Sequence, residues 1–321
     1  MKSAFSLVQM LRAPYTAGKF KRVNLMEWIA FTLLAALMQA VRTAGQKQLT
    51  NTMSAIVATW ARYGFGFPVA VVYFVIIWRD QFDLLRHFSL TFYAIVLCAA
   101  LFQLVATLLL VKVLSLRNFA VGTTFAKTEG IFAAIIGAVV FSAAFSLAAW
   151  LAIVIGVIGL VFVSLAKSNI SVQSAWHSKT FILGITAGIC FALTSLLLRE
   201  ASLVSDANPI MTAAYVLMIS LGIQGLLCSG LVQWQSPNNW QQLRGQSKTI
   251  LFVGLTGTLG SIGWYTAFSF QEAAIVKALG QVEYIVTLAL THYFFKETIS
   301  KVEWIGIISV LVSVVLLLVG V

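Results

Sequence analysis

The chain has 321 residues, of which 60% are hydrophobic and only 10% are charged, and its formal net charge is +11. Its mean hydropathy is +0.95. These values exclude a soluble globular protein, because such a protein carries charge on about a quarter of its residues. The composition therefore predicts an integral membrane protein in contact with the lipid bilayer.

The first segment, 1–25, is basic: Lys and Arg side chains accumulate in it before the first acid, Glu27. In a membrane protein this excess of positive charge indicates a cytoplasmic anchor, and it gives no reason to expect a nucleic-acid partner. We therefore expect a cytoplasmic N-terminus and a bacterial inner membrane. An organellar transit peptide is the alternative for this segment.

Ten apolar segments follow, each near the 20 residues or so that a helix needs to cross a hydrocarbon core about 30 Å thick. They predict an all-α fold with ten transmembrane helices, over residues 26–48, 54–78, 91–115, 118–141, 146–166, 180–201, 209–233, 249–270, 273–294 and 302–321. The three cysteines lie in apolar runs without paired spacing, so no disulfide, metal site or cofactor is expected.

An internal repeat relates the two halves of the chain. A shift of 154 residues aligns 97–167 with 251–321 without a gap and pairs Glu129 with Glu283 and Trp150 with Trp304. Matches between apolar residues carry little weight in such segments. Most of the evidence for the repeat comes from the alignment of one intramembrane glutamate with another.

The repeat predicts two five-helix halves, 26–166 and 180–321, joined by a linker at 167–179. An odd number of spans reverses direction, so the second half is expected upside down relative to the first. Two such inverted five-helix repeats form a scaffold that can open to either side of the membrane. This geometry favours a secondary transporter that works by alternating access.

Charged side chains inside predicted spans are the candidate site residues, because an ion in the membrane core costs about 2.5–3.5 kcal/mol and usually faces a bundle interior or a wet cavity. We assign coupling or gating to Glu129 and Glu283. Substrate binding or charge pairing is assigned to Lys127, Lys277, Arg42 and Arg62. Static ion pairs that hold helices in register are the alternative for each residue.

Glu129 needs a partner from another helix, since Lys127 is two residues away and points to nearly the opposite side of a helix. The candidates are Arg42, Arg62, Lys112 and Lys277. Carboxyl groups in apolar surroundings hold protons more firmly than those in water, which makes protons a candidate coupling ion. An anionic substrate bound by Lys and Arg is the other hypothesis. Arg199, Glu200 and Lys112 lie near predicted helix ends and are expected to snorkel to the headgroups.

Glycines recur at every third position in the eighth span, at Gly254, Gly257, Gly260 and Gly263. Such spacing lets helices approach closely, and a hinge is the alternative.

The stretches "FFKETIS" and "EWIGI" near the end of the chain, with "RYGFGFPVAVV" around Arg62, resemble the EamA-like transporter repeat of the drug/metabolite transporter superfamily. The resemblance implies a ten-helix carrier with both termini in the cytoplasm that moves small metabolites, often outward. That family commonly has a proline in the fourth and ninth helices, where this chain has Glu129 and Glu283. Because this chain has no proline at these positions, the comparison with the family predicts straighter fourth and ninth helices here.

Other functions remain as alternatives. No motif for a membrane enzyme is present, because the three histidines are far apart in the sequence, and we expect no catalytic residues. A channel or a non-transporting assembly subunit is the runner-up to a carrier of amino acids, organic acids or similar solutes. The basic connectors of the second half also leave a reversed topology open. Substrate, direction, coupling ion and oligomeric state are not determined by the sequence.

Overall fold

The computed structural model describes residues 25–78, 88–116, 128–141, 143, 145–168, 179–205, 207–235, 240–241, 243, 245–293 and 301–320. The basic segment before residue 25, most of the predicted linker and Lys127 lie outside the described residues. Predictions about them therefore stay predictions.

The described residues form eleven helices, named here in chain order. They are α1 Leu25–Leu49, α2 Ala55–Ile77, α3 Leu90–Leu116, α4 Glu129–Val140, α5 Leu147–Ser168, α6 Lys179–Val204, α7 Pro209–Gln235, α8 Ser247–Phe270, α9 Ala273–Gly280, α10 Glu283–Tyr293 and α11 Lys301–Gly320. Eight of the ten predicted spans, those of α1, α2, α3, α5, α6, α7, α8 and α11, agree closely with these bounds.

Within the described parts of the chain, six helices are long and apolar enough to cross a membrane: α1, α2, α3, α6, α7 and α8. The remaining predicted spans are mostly helical where the structure describes them, but α4, α9 and α10 are short. An all-helical membrane protein is therefore confirmed for the described residues, while the count of ten spans stays a prediction. Large apolar side chains face outward, as lipid contact requires, for example Val72, Ile76 and Leu226.

The ninth predicted span is broken. Helix α9 ends at Gly280, Gln281 and Val282 form a turn, and α10 begins at Glu283. Backbone hydrogen bonds close this turn: the N–H of Gln281 donates to the carbonyl of Ala278, and the N–H of Tyr284 donates to the carbonyl of Gln281. The turn contains no proline. The expectation of a straighter ninth helix was wrong.

The main packing partners come from opposite halves of the chain. Helix α1 packs on α8, α3 on α6, α2 on α7 and α5 on α11. In the repeat, α1 corresponds to α6, α2 to α7, α3 to α8 and α5 to α11. Exchanging each helix for its counterpart leaves these four pairs unchanged, as two halves related by a two-fold axis require. The halves therefore interlock rather than forming separate lobes, and their shared interior holds the polar side chains.

The glycine stripe on α8 lies against α1 and α2. A Cβ at Gly263 would stand 2.6 Å from the carbonyl oxygen of Phe31, and one at Gly254 would stand 2.6 Å from the Cβ of Phe65. These distances are too short for any side chain. Close helix approach, rather than a hinge, is the role that the structure supports for these glycines.

Candidate functional site

Both intramembrane glutamates stand at the start of a helix deep in the bundle. Glu129 is the first residue of α4 and Glu283 is the first residue of α10. The positive end of the helix dipole favours a carboxylate at each position. Glu129 is 8% exposed and Glu283 is 2% exposed, so both are inside the protein.

Glu129 is held by two side chains of the second half. Lys277 on α9 places its Nζ 2.9 Å from Glu129 Oε1. The hydroxyl of Ser195 on α6 donates a hydrogen bond of 2.8 Å to the same oxygen. Of the four candidate partners, Lys277 is thus the one that pairs with Glu129, and Lys112 lies exposed on α3.

Glu283 is held from the first half. The side-chain amide of Gln39 on α1 donates a hydrogen bond of 2.7 Å to Glu283 Oε2. The carbonyl oxygen of the same amide accepts a bond of 2.7 Å from the indole nitrogen of Trp264. Each glutamate therefore reaches across to the opposite repeat, and the two contacts form a reciprocal pair.

Lys277 is also held by aromatic rings. Its Nζ lies 3.7 Å from the ring centroid of Trp264 and 5.4 Å from that of Phe268. A cation over an aromatic face is attracted by the ring quadrupole. The ammonium is therefore placed between a carboxylate and an indole, which together replace much of its hydration.

A small cavity lies between these groups, lined by Gln39, Glu129, Trp264, Lys277 and Glu283 among others. Its volume is about 20 Å³, enough for about one water molecule. A metabolite does not fit in this space. The described residues therefore leave room at this point for little more than one water molecule.

Arg42 on α1 and Arg62 on α2 are not among the residues that line the small cavity. Both are buried, with exposures of 4% and 3%. Arg42 is near enough to Glu283 for electrostatic attraction. Arg62 donates hydrogen bonds to the hydroxyls of Thr107 and Ser261. Of the predicted site residues, the structure therefore joins Glu129 with Lys277 and places Arg42 near Glu283.

Arg199 corrects one prediction. It was expected to snorkel to the headgroups, but it is only 7% exposed. One of its nitrogens donates to the carbonyls of Phe268 and Ser269, and another lies 3.5 Å from Glu272. The reason is that α6 passes beside the end of α8, where free carbonyls accept from the guanidinium.

Sequence reasoning missed Gln39 and Ser195 as site residues. It also missed a buried polar network in which Gln103 Oε1 accepts bonds from Tyr265 and Gln224. A glutamine within an apolar span was the available signal, because a buried amide needs partners.

The described residues contain no group of three or more His, Cys, Asp or Glu side chains that could hold a metal ion. Lysine, glutamate and amide side chains supply the chemistry of the site. They can hydrogen-bond a polar solute.

Comparisons with known proteins place this geometry in a family. A solved crystal structure superposes with a TM-score of 0.66 at 12% identity, covering 91% of this chain and 97% of its own, which shows a shared fold. None of the curated protein sequences matches the chain. The sequence model of the EamA-like transporter family matches twice, over residues 26–165 and 178–319. The chain therefore belongs to the EamA-like transporter family and is a membrane transporter of the drug/metabolite transporter superfamily.

Proposed function

We propose that the protein is a secondary carrier that moves small polar or charged metabolites, such as amino acids or organic acids, by alternating access. The observation that carries the proposal is the reciprocal contact of the two glutamates. Glu129 is bound by Lys277 and Ser195 of the second half, and Glu283 is bound by Gln39 of the first half.

These contacts have the form of a gate. They join opposite repeats around a cavity that is too small for a solute. A solute can enter only when helices separate at this point, and separation on one side at a time is alternating access. We propose that Glu129 and Glu283 are the gating residues of the two halves, which insert in opposite directions.

Protonation supplies a means of coupling. A protonated Glu129 no longer forms an ion pair with Lys277, so protonation weakens the closed state. The ammonium keeps its contact with Trp264 during the change, which limits the cost of separation. We propose that proton entry through this pair drives export of the solute. The N-terminus lies in the cytoplasm of a bacterial cell in this scheme, and Lys127, two residues before Glu129 in the sequence, stays a candidate charge partner or substrate ligand.

Counterflow tests the proposal. Purified protein is reconstituted in liposomes loaded with a mixed pool of amino acids, organic acids, sugars, nucleobases and phosphorylated metabolites, and exchange is followed by mass spectrometry. We expect saturable exchange of one solute class. Unsaturable flux that shows no counterflow would indicate a channel.

Variants then test the gate. Glu129→Gln and Glu283→Gln should each change the exchange rate or its pH dependence. Glu27→Gln, at an exposed position at the start of α1, is the matched control and should behave as the wild type. If the two buried variants also exchange with wild-type rate and pH dependence, the glutamates are structural and the gate assignment is wrong.

A further inference from the structure

Two buried arginines share one small space between α1, α2 and α8. Arg42 and Arg62 point toward Gly257, where an added Cβ would stand 3.1 Å from Arg62 Cγ and 3.3 Å from Arg42 Cδ. The glycine therefore leaves room for two side chains of like charge. Burying two cations side by side is unfavourable unless negative charge is placed with them.

The partners of these arginines are neutral. Arg62 donates to Thr107 Oγ1 at 3.0 Å and to Ser261 Oγ at 3.3 Å. Arg42 donates to Thr43 Oγ1 at 3.4 Å. Among the described residues, neither guanidinium forms an ion pair within 4.0 Å.

Arg199 provides a comparison within the same chain. It is buried to a similar degree, yet it donates to two carbonyl oxygens and pairs with Glu272. The Nε atoms of all three arginines lack a partner among the described residues, so the difference lies in their terminal nitrogens. Arg199 has the contacts of a structural arginine, and the other two do not.

The charges around Arg42 do not balance. Its guanidinium is near enough to Arg62 for repulsion and to Glu283 for attraction. Glu283 also accepts the hydrogen bond of Gln39, so its carboxylate is shared. Two guanidiniums and one carboxylate leave one positive charge in this cluster, and a single anionic group would neutralise it.

The position of the cluster is suited to a solute. Arg42 lies one helical turn along α1 from Gln39, which lines the central cavity. Guanidinium groups bind carboxylate and phosphate through two parallel hydrogen bonds, which an ammonium cannot do. Both arginines face the bundle interior rather than lipid, which favours a solute over a lipid headgroup.

We propose that Arg42 and Arg62 form the subsite that binds the anionic group, a carboxylate or a phosphate, of the transported solute. The proposal rests on the carrier function and narrows its substrates to small anions. In the closed state the carboxylate of Glu283 compensates part of the positive charge of Arg42. When the gate opens, the anionic group of the solute compensates this charge in place of Glu283.

Binding is tested on the full-length protein in a non-ionic detergent without anionic lipid. The probes are matched pairs: benzoate with benzamide, alanine with alaninamide, and glycerol 3-phosphate with glycerol, at constant ionic strength set by chloride. The readouts are the dissociation constant and the shift in unfolding temperature. We expect at least one probe that bears a carboxylate or phosphate group to bind, and its partner without that group not to bind.

Conservative variants locate the site. Arg62→Lys and Arg42→Lys keep the charge but lose the paired hydrogen bonds, and we expect the dissociation constant of the anion to rise about 10- to 100-fold. Arg199→Lys is the matched control and should bind the anion as the wild type does. Equal affinity in all three variants would overturn the proposal.

A second readout does not depend on finding a solute. Arg42→Gln removes a positive charge that has no ion-pair partner, so we expect it to leave the unfolding temperature of the empty protein unchanged or higher. Arg199→Gln breaks an ion pair and two hydrogen bonds and should lower it. If Arg42→Gln lowered the unfolding temperature as much as Arg199→Gln does, Arg42 would be structural and the proposal would be overturned.

The outcomes separate this proposal from the carrier function. Saturable exchange of neutral or cationic solutes only, with no binding of any anionic probe, would leave the carrier and overturn the anion subsite. Arginine-dependent binding of an anion without any counterflow would support the subsite and count against the carrier. Binding of anions that anionic lipid abolishes, with no exchange, would assign the site to a lipid headgroup and overturn the proposal.

Discussion

The contact between Glu129 and Lys277 should couple the two halves by a measurable free energy. At 2.9 Å, two unit charges attract each other by about 6 kcal/mol if the effective dielectric constant is about 20. Loss of hydration offsets part of this attraction, because both side chains are about nine-tenths buried. We therefore expect a coupling free energy of about 2–4 kcal/mol between the two side chains.

A double-mutant cycle measures that coupling. The free energy of unfolding is obtained by SDS titration in mixed micelles for the wild type, Glu129→Gln, Lys277→Gln and the double variant. Each single variant should lose about 3 kcal/mol, because a buried charge is left without its partner. The double variant should lose less than the sum, since two amides can replace the ion pair with a hydrogen bond.

The matched control is a cycle between Glu129 and Lys112, an exposed residue of α3. Its two effects should add to within about 0.5 kcal/mol. A coupling below about 1 kcal/mol for Glu129 with Lys277 is typical of an exposed ion pair and would refute the reasoning.

Three further predictions concern the packing around the gate. Gly263→Ala should lower the free energy of unfolding, measured by SDS titration, by about 1–3 kcal/mol, because its methyl group would meet a backbone carbonyl of α1. Gly230 has open space around it, so Gly230→Ala should be neutral or stabilising in the same assay. Trp264→Phe keeps a weaker aromatic face for Lys277 but loses an indole hydrogen bond, so hydrogen exchange near the α9–α10 turn should be faster. Ser195→Ala removes one hydrogen bond to the paired glutamate and should cost about 1–3 kcal/mol, and no change in stability would contradict that bond.

Much of the helical framework could be predicted from the sequence, because hydropathy and bilayer thickness act on each span separately. The shift of 154 residues paired Glu129 with Glu283, and in the structure both begin helices. This agreement could be predicted because both repeats have a carboxylate at the same position of an otherwise apolar segment, and the sequence shows this directly.

The choice of partners could not be predicted in the same way. Lys277, rather than Arg42 or Arg62, pairs with Glu129 because α9 crosses α4, and this contact depends on packing between distant parts of the chain. The break at Gln281–Val282 has no proline to mark it. A small residue helps to form it: a Cβ on Gly280 would collide with the ring of Trp264, which is a tertiary contact.

Interlocking of the repeats also has a consequence for motion. Since α1 packs on α8 and α3 packs on α6, the two sequence halves cannot separate as rigid bodies without losing most of the core. We expect the moving bodies to combine helices from both halves. The reciprocal glutamate contacts would then open one at a time as those bodies rock.

Sided labelling of one cysteine tests alternating access most directly. In a background without native cysteines, Gln281→Cys places a thiol in the turn beside the cavity, and a membrane-impermeant maleimide is applied from either face of oriented proteoliposomes. We expect the maleimide to reach the thiol from both faces, and a pH change that increases labelling from one face to decrease it from the other. Labelling from both faces that rises and falls together would contradict alternating access and indicate a continuous pore.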